Sequence, residues 1–249
     1  MNNSAKLSLT LSFLLLVGII IGQLEGTAVS AGTDHLLYLP LTLNQNDDPV
    51  PFGLVHSGEG TYYFATGAGN CSFDPSPQNL MVAAMNYVDY ADSALCGAYI
   101  EVTGPQGSVV VRIVDQCPGC AEGDVDLSQE AFAEIAELSA GRVDITWQLV
   151  SPVLDGPIVY HFKDGSNQWW TAVQIRNHRN PIAKFEYWNG SSFVEVPRLS
   201  YNYFVEASGM GPGPYTFRVT DTLGNVLEDS SIPHVEDGDV GGSGQFPAP

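Results

Sequence analysis

Basic side chains are what this sequence has least of. Nine Lys and Arg stand against 28 Asp and Glu, a formal net charge of −19 over 249 residues. Removing residues 1–31 leaves that charge unchanged, because Lys6 and Glu25 cancel. So negative a surface repels nucleic-acid phosphates and anionic lipid, and it repels an acidic wall polymer such as pectin as well. A neutral polymer meets no such barrier, and the charge also keeps the chain soluble. Long apolar runs are scarce too. The one from Leu7 to Ile21 is broken by Ser8, Thr10, Ser12 and Gly18, and it is shorter than the ~20 residues that a membrane span needs. Lys6 precedes it, and Val29 and Ala31 follow as the −3 and −1 positions of a cleavage site. Residues 1–31 are therefore expected to be a secretory signal peptide, with no membrane attachment after cleavage.

Cysteine is confined to Cys71, Cys96, Cys117 and Cys120. In a secreted chain an even count predicts two disulfides, and four cysteines allow three pairings. Cys71–Cys96 with Cys117–Cys120 is the preferred one. The Cys117-Pro118-Gly119-Cys120 spacing also suits a zinc ligand pair. That alternative is weaker: Cys71 and Cys96 form no second close pair, and none of the five histidines is near the cysteines in sequence. No metal and no cofactor are expected.

What is plentiful is turn and strand chemistry. There are 26 glycines and 16 prolines, and 44% of the residues are hydrophobic. Val, Tyr, Phe, Thr and Ile favour pleated, half-buried surfaces, so the fold should be mainly β. Residues 32–52, ending in Asn44-Gln45-Asn46-Asp47-Asp48-Pro49, read as a spacer. Within 53–151, strands are expected at Gly60–Ala65, Ala98–Thr103, Ser108–Val114 and Asp144–Val150, with a hairpin turn at Gly104-Pro105-Gln106-Gly107. Helices are expected at residues 78–86, from the spacing of Leu80, Met81, Ala84 and Met85, and after Ser128 as N-cap, stopped by Gly141. Within 152–249, strands are expected at Ile158–Lys163, Trp169–Arg176, Ala183–Trp188, Tyr201–Ala207 and Tyr215–Thr220. Strands at this spacing without a long helix suggest an immunoglobulin-like β-sandwich.

Two stretches carry a family resemblance. Val111 to Ser128, containing Asp115-Gln-Cys-Pro-Gly-Cys and Asp124-Val-Asp126, resembles the signature of the six-stranded double-psi β-barrel of expansins, and Gly58-Glu-Gly-Thr61-Tyr-Tyr resembles that barrel's first strand. Lys163-Asp-Gly-Ser-Asn-Gln-Trp169-Trp170, Val173-Gln-Ile-Arg-Asn-His178, Tyr201-Asn-Tyr-Phe and Gln245-Phe246-Pro247 resemble the carbohydrate-binding domain of bacterial expansins. The resemblance spans Phe52 to Pro247. It implies a secreted monomer that binds cellulose and related neutral β-glucans and loosens plant-type wall. Thr61, Asp115 and Asp126 fall on the family's groove residues, and Trp169, Trp170 and Tyr201, with Lys163 beside them, fall on its aromatic line. Cys117 stands where bacterial expansins often carry a groove tyrosine, so Tyr62 or Tyr63 becomes the candidate stand-in.

Cleavage of a glycan with inversion needs an acid and a second carboxylate that activates water. Asp126 could be the acid. Related barrel endoglucanases take the base from the end of the first strand, and here Tyr62 to Gly67 holds no acid. Hydrolysis is therefore not expected, although Glu59, on the same strand face as Thr61, and Asp115 keep an endoglucanase or lytic transglycosylase as the alternative. Asp126 could also serve only the following helix N-terminus. Adjacent Trp169 and Trp170 would point to opposite faces of a regular strand, so joint contact with a sugar chain requires a twist or bulge. Trp147 and Trp188 are assigned to the core and the histidines to structural roles.

Overall fold

The computed structural model describes residues 49–249; the expected signal peptide and most of the expected spacer lie outside the described residues. Six strands close a barrel: β1 (Val50–Tyr63), β2 (Val82–Asn86), β3 (Tyr99–Gly104), β4 (Gly107–Cys117), β5 (Val125–Ser128) and β6 (Val143–Ser151), in the spatial order β1-β5-β2-β4-β3-β6. The β1/β5 and β2/β4 pairs are parallel and the others antiparallel. The strand β1 begins at Val50, paired with Ser151, so it takes in the last residues of the expected spacer and ends two residues before the expected Ala65. Where it crosses the loop before β5, a Cβ on Gly58 would strike the Gly123 carbonyl and one on Gly123 would strike that of Ser57. Only glycine permits so close an approach of two backbones.

Residues 82–86 form β2 rather than the end of the expected helix. All five are buried, because β2 lies between β5 and β4 in the closed barrel. A short run that is apolar on both faces fits either period, and here tertiary pairing decides it. Only one turn, α1 (Tyr87–Tyr90), is helical, capped by Asn86 Oδ1 accepting from Asp89 N at 3.0 Å. Ser128 caps α2 (Gln129–Ile135), its Oγ accepting from Ala131 N at 3.0 Å. The helix stops at Ile135, with Ala136 extended; Gly141, at φ +67°, closes only a separate 3-10 turn over Leu138–Ala140. The helix seals one end of the barrel through Ala131, Phe132 and Ile135.

The second domain is a sandwich of two four-stranded antiparallel sheets. Its strands are β7 (Val159–Phe162), β8 (Thr171–Arg176), β9 (Ile182–Trp188), β10 (Phe193–Glu195), β11 (Phe204–Glu206), β12 (Tyr215–Asp221), β13 (Val226–Ile232) and β14 (Gly238–Gly241). The sheets run β11-β8-β7-β14 and β10-β9-β12-β13. Tyr160, Phe162, Phe185, Phe217 and Phe246 fill the space between them. Strand alternation is plain in β12, whose residues are buried at every second position from Tyr215 to Asp221. Two disulfides, Cys71–Cys96 and Cys117–Cys120, tie the barrel's loops. Polar contacts join the domains: Gln174 Nε2 and Asn202 Nδ2 donate to the Cys71 carbonyl at 2.9 and 3.2 Å, and Ser93 Oγ donates to that of Leu199 at 2.9 Å.

Candidate functional site

The register of the barrel sets the groove. Thr61 on β1 lies opposite Asp126 on β5, Asp126 opposite Ala84 on β2, and Ala84 opposite Asp115 on β4. Three polar side chains therefore follow one another around adjacent strands, with only an alanine methyl between the two aspartates. Thr61 Oγ1 donates to Asp126 Oδ1 at 2.6 Å. Asp115 Oδ1 accepts from the backbone N–H of Asn70 at 2.6 Å and of Gln116 at 2.8 Å, which fixes its carboxylate. Gly69 packs so closely on Asp115 that a Cβ there would overlap the carboxyl.

Burial raises the Asp126 pKa, the Thr61 hydrogen bond pulls it back in part, and the charge of Asp115 pushes it up again. The group is thus not held down by the helix N-terminus, because Ser128 rather than Asp126 caps α2. The Tyr63 phenol lies in the same field. Burial first, then Asp115 and Asp126, raise its pKa above the usual tyrosine range. Its hydroxyl is buried and has no hydrogen-bond partner among the described residues. Glu59 is paired with Arg142, so it is not free to activate water.

The sandwich offers an aromatic patch. Asn167 to Trp170 form a tight turn closed by Asn167 N to Trp170 O at 2.8 Å and Trp170 N to Asn167 O at 3.3 Å. Asn167 Oδ1 accepts from Trp169 N at 2.9 Å and shapes that turn. The two tryptophans therefore do not alternate as in a strand. Trp169 is 70% exposed, whereas Trp170 and Tyr201 are half-buried against Ala172, Tyr203 and Val205. Tyr201 and Tyr203 ring centroids are 5.8 Å apart, and Lys163 Nζ lies 5.8 Å from the Tyr203 ring. Groove and patch are joined. Asn70, whose N–H binds Asp115, donates through Nδ2 to the Tyr90 hydroxyl at 2.8 Å and to the Ser200 carbonyl at 3.1 Å, next to Tyr201; Tyr90 also donates to Ser200 O at 2.8 Å.

Residues 78–147 match a double-psi β-barrel family described as lytic transglycolase. An expansin from Bacillus subtilis is 35% identical over 184 residues, which cover 71% of this chain and 78% of that protein. The chain belongs to the expansin family. Dictyostelium discoideum expansin-like protein 1 is 30% identical over 217 residues, covering 81% of this chain and 75% of its own. Among solved structures, an Asp-to-Asn mutant of a Clavibacter michiganensis expansin in complex with cellohexaose superposes with a TM-score of 0.74 at 31% identity, covering 78% of this chain and all of that one.

In this expansin the structure brings Thr61, Asp115 and Asp126 together on adjacent strands, packs Trp170 and Tyr201 on one cluster with Tyr203, over which Lys163 lies, and leaves Trp169 exposed in the turn beside Trp170. Of the two candidate stand-ins for the groove tyrosine, Tyr62 packs against Phe132, ring centroids 5.0 Å apart, while Tyr63 faces the aspartates. Cys117 is engaged with Cys120. Trp147 is buried, stacked on His56 with its Nε1 donating to the Gly123 carbonyl at 2.8 Å. Trp188 is not in the core: it is the last residue of β9, 44% exposed, against Phe193 of the edge strand β10. Tyr203, the floor of the patch, and Asn70, its tie to the groove, were not singled out from sequence. The motif Tyr201-Asn-Tyr-Phe held Tyr203, but which of its aromatics faces inward depends on register. Nothing local marks Asn70.

Proposed function

We propose that this expansin is a secreted monomer, working without metal or cofactor, that binds cellulose and related neutral β-glucans and loosens plant-type wall without hydrolysis. The leader over 1–31, the spacer over 32–52 and the division into a barrel at 53–151 and a carbohydrate-binding domain at 152–249 belong to this reading. The Trp169–Trp170 turn with Tyr201 and Lys163 adsorbs on the polymer, and the groove formed by Thr61, Asp115 and Asp126 grips a single glucan strand.

The observation that carries the reading is the turn that leaves Trp169 exposed next to Trp170, which packs with Tyr201 on one cluster tied through Ser200 and Asn70 to Asp115. Aromatic faces suit the CH-rich faces of glucose rings, and a solvent-exposed tryptophan held by a shaped turn has no folding role that explains it. A relative's structure with cellohexaose supports a β-glucan as ligand. On the groove side, Asp126 and Thr61 hydrogen-bond each other and leave lone pairs for sugar hydroxyls. Gripping one strand with these groups competes with the hydrogen bonds that hold it to its neighbours, so strands slip under tension and no covalent bond breaks. Against hydrolysis stands the missing base: Glu59 is taken by Arg142, and Phe64 to Asn70 carry no acid.

Creep of heat-inactivated plant wall under constant load tests the proposal. Asp126→Asn should abolish creep and leave cellulose adsorption close to wild type, with no reducing ends released by either protein. Reproducible, Asp126-dependent release of reducing ends would transfer the reading to a glycan-cleaving enzyme.

A further inference from the structure

With Lys6 outside the described residues, eight of the nine Lys and Arg remain. Arg142, Arg176, Lys184 and Arg218 pair with carboxylates. Arg179 is held by Ser151, Arg198 by backbone carbonyls, and Lys163 lies over Tyr203. Among the arginines, Arg112 alone has neither a carboxylate nor a side-chain hydrogen bond among the described residues. Its Cζ rests 4.8 Å from the Phe73 ring centroid. Burial lowers its pKa, Tyr99 pulls it back in part, and the neighbouring charge of Arg176 lowers it again. A guanidinium brings five donors that want acceptors, and withdrawing such a charge from water without a partner is costly. In a chain of net charge −19, an arginine with neither an acid nor a hydrogen-bonded partner is the exception that requires a reason.

Arg112 opens into a cavity of about 220 Å³ at the junction of the two domains, walled by Phe73 and Tyr99 from the barrel and by Val159, Arg176 and Asp239 from the sandwich. A second cavity of about 350 Å³ shares Tyr99 and Arg112 and reaches Ser76 and Asn79. The acid on the wall is already engaged, since Asp239 Oδ1 is 2.7 Å from His161 Nδ1 and 3.4 Å from Arg176 Nη1. Tyr99 stands opposite Arg112 in the β3/β4 register.

We propose that this cavity binds the carboxylate of an acidic sugar, a hexuronate side group carried on an otherwise neutral wall glycan. The Arg112 fork is built for bidentate carboxylate recognition. Phe73, Tyr99 and Val159 supply apolar surface for a sugar ring, and the space far exceeds what a bare anion fills. The overall negative field repels a polyuronate, so isolated uronates on a neutral backbone are the form that this site selects. The site is separate from the Asp115–Asp126 groove, and its occupancy does not depend on wall loosening.

Titration of the full chain by calorimetry with methyl glucuronoside, methyl glucoside and acetate tests the idea. Methyl glucuronoside should bind and the glucoside should not, acetate should bind at least about tenfold more weakly than the glucuronoside, and added salt should weaken the complex. Arg112→Gln should lose at least about tenfold in affinity, and Arg112→Lys should fall between. In the unmutated protein, arginine modification by phenylglyoxal followed by peptide mapping should show Arg112 protected by the glucuronoside alone, which keeps the test independent of how the variants fold. No glucuronoside binding, full affinity in Arg112→Gln, or acetate equal to the glucuronoside would each overturn the proposal.

Discussion

Trp169→Ala isolates the adsorption platform. Trp169 is 70% exposed, and a whole tryptophan offers at most about 250 Å². Roughly 170 Å² of it therefore meets water, of which one flat face is about half. Covering about 85 Å² at ~25 cal/mol per Å² is worth about 2 kcal/mol. At 1.4 kcal/mol per factor of ten, Trp169→Ala should weaken adsorption on microcrystalline cellulose roughly 30-fold. Depletion isotherms with the protein in the supernatant measure this directly. The melting temperature should stay within about 1 °C, because the turn's bonds at this residue come from its backbone. Trp188→Ala supplies the control, since that indole is also exposed but sits on the opposite sheet; its adsorption should be unchanged. A loss of less than about threefold for Trp169→Ala, or an equal loss for Trp188→Ala, would refute the placement of the platform.

Three further outcomes follow from the same geometry. Folding raises the Asp126 pKa, chiefly through burial, so this group favours the fold below its unfolded value near 3.9 and works against it as pH rises through the folded one; Asp126→Asn should melt higher than wild type at pH 7, and thermal melts against pH should show the gap closing in acid. Burial lowers the His178 pKa to about 4, so its share of stability is intact above 6.5 and lost as pH falls towards 4, about 3 kcal/mol in all; denaturant titrations should show this limb missing in His178→Gln. Opening Cys71–Cys96, which spans 25 residues, should cost about 3.5 kcal/mol, against about 1.6 kcal/mol for Cys117–Cys120 with its span of three; unfolding of the two double-serine variants compares them.

Much of the sandwich was legible in sequence because its strands alternate and its turns carry glycine. Strand β12 sits within one residue of its expected bounds, and β7 and β9 within one at each end. The strands that escaped notice are short or polar: β10 has three residues, β14 reads Gly238-Asp-Val-Gly, and β13 carries Glu228 and Asp229 in its middle. In the barrel the failure has another cause. β2 is buried on both faces, so neither sets a period, and β5 has only four residues and runs directly into the N-cap of α2. The groove residues were legible through motif alone. Spacing could not have placed Thr61 beside Asp126, because 65 positions separate them and only the parallel β1/β5 register brings them together.

The proposal that a platform and a groove on separate domains act on one polymer rests on the bonds between those domains. The Tyr201 loop is not left to a flexible tether. Its Ser200 carbonyl accepts from Asn70 and Tyr90, the neighbouring Leu199 carbonyl accepts from Ser93, and Asn202 donates to the Cys71 carbonyl. Cys71 is itself fixed to Cys96. Displacing the platform relative to Asp115 would break several of these bonds together, and the donors Tyr90, Ser93 and Asn202 are buried, so the cost rises with every bond instead of stopping at the first. Under the proposed function, these bonds are the route by which a pull on the adsorbed face reaches the strand gripped by Thr61, Asp115 and Asp126. A loosely linked binding module would merely raise the local concentration of the barrel. Under the proposed function, mechanical coupling rather than tethering is the role of the network around Ser200.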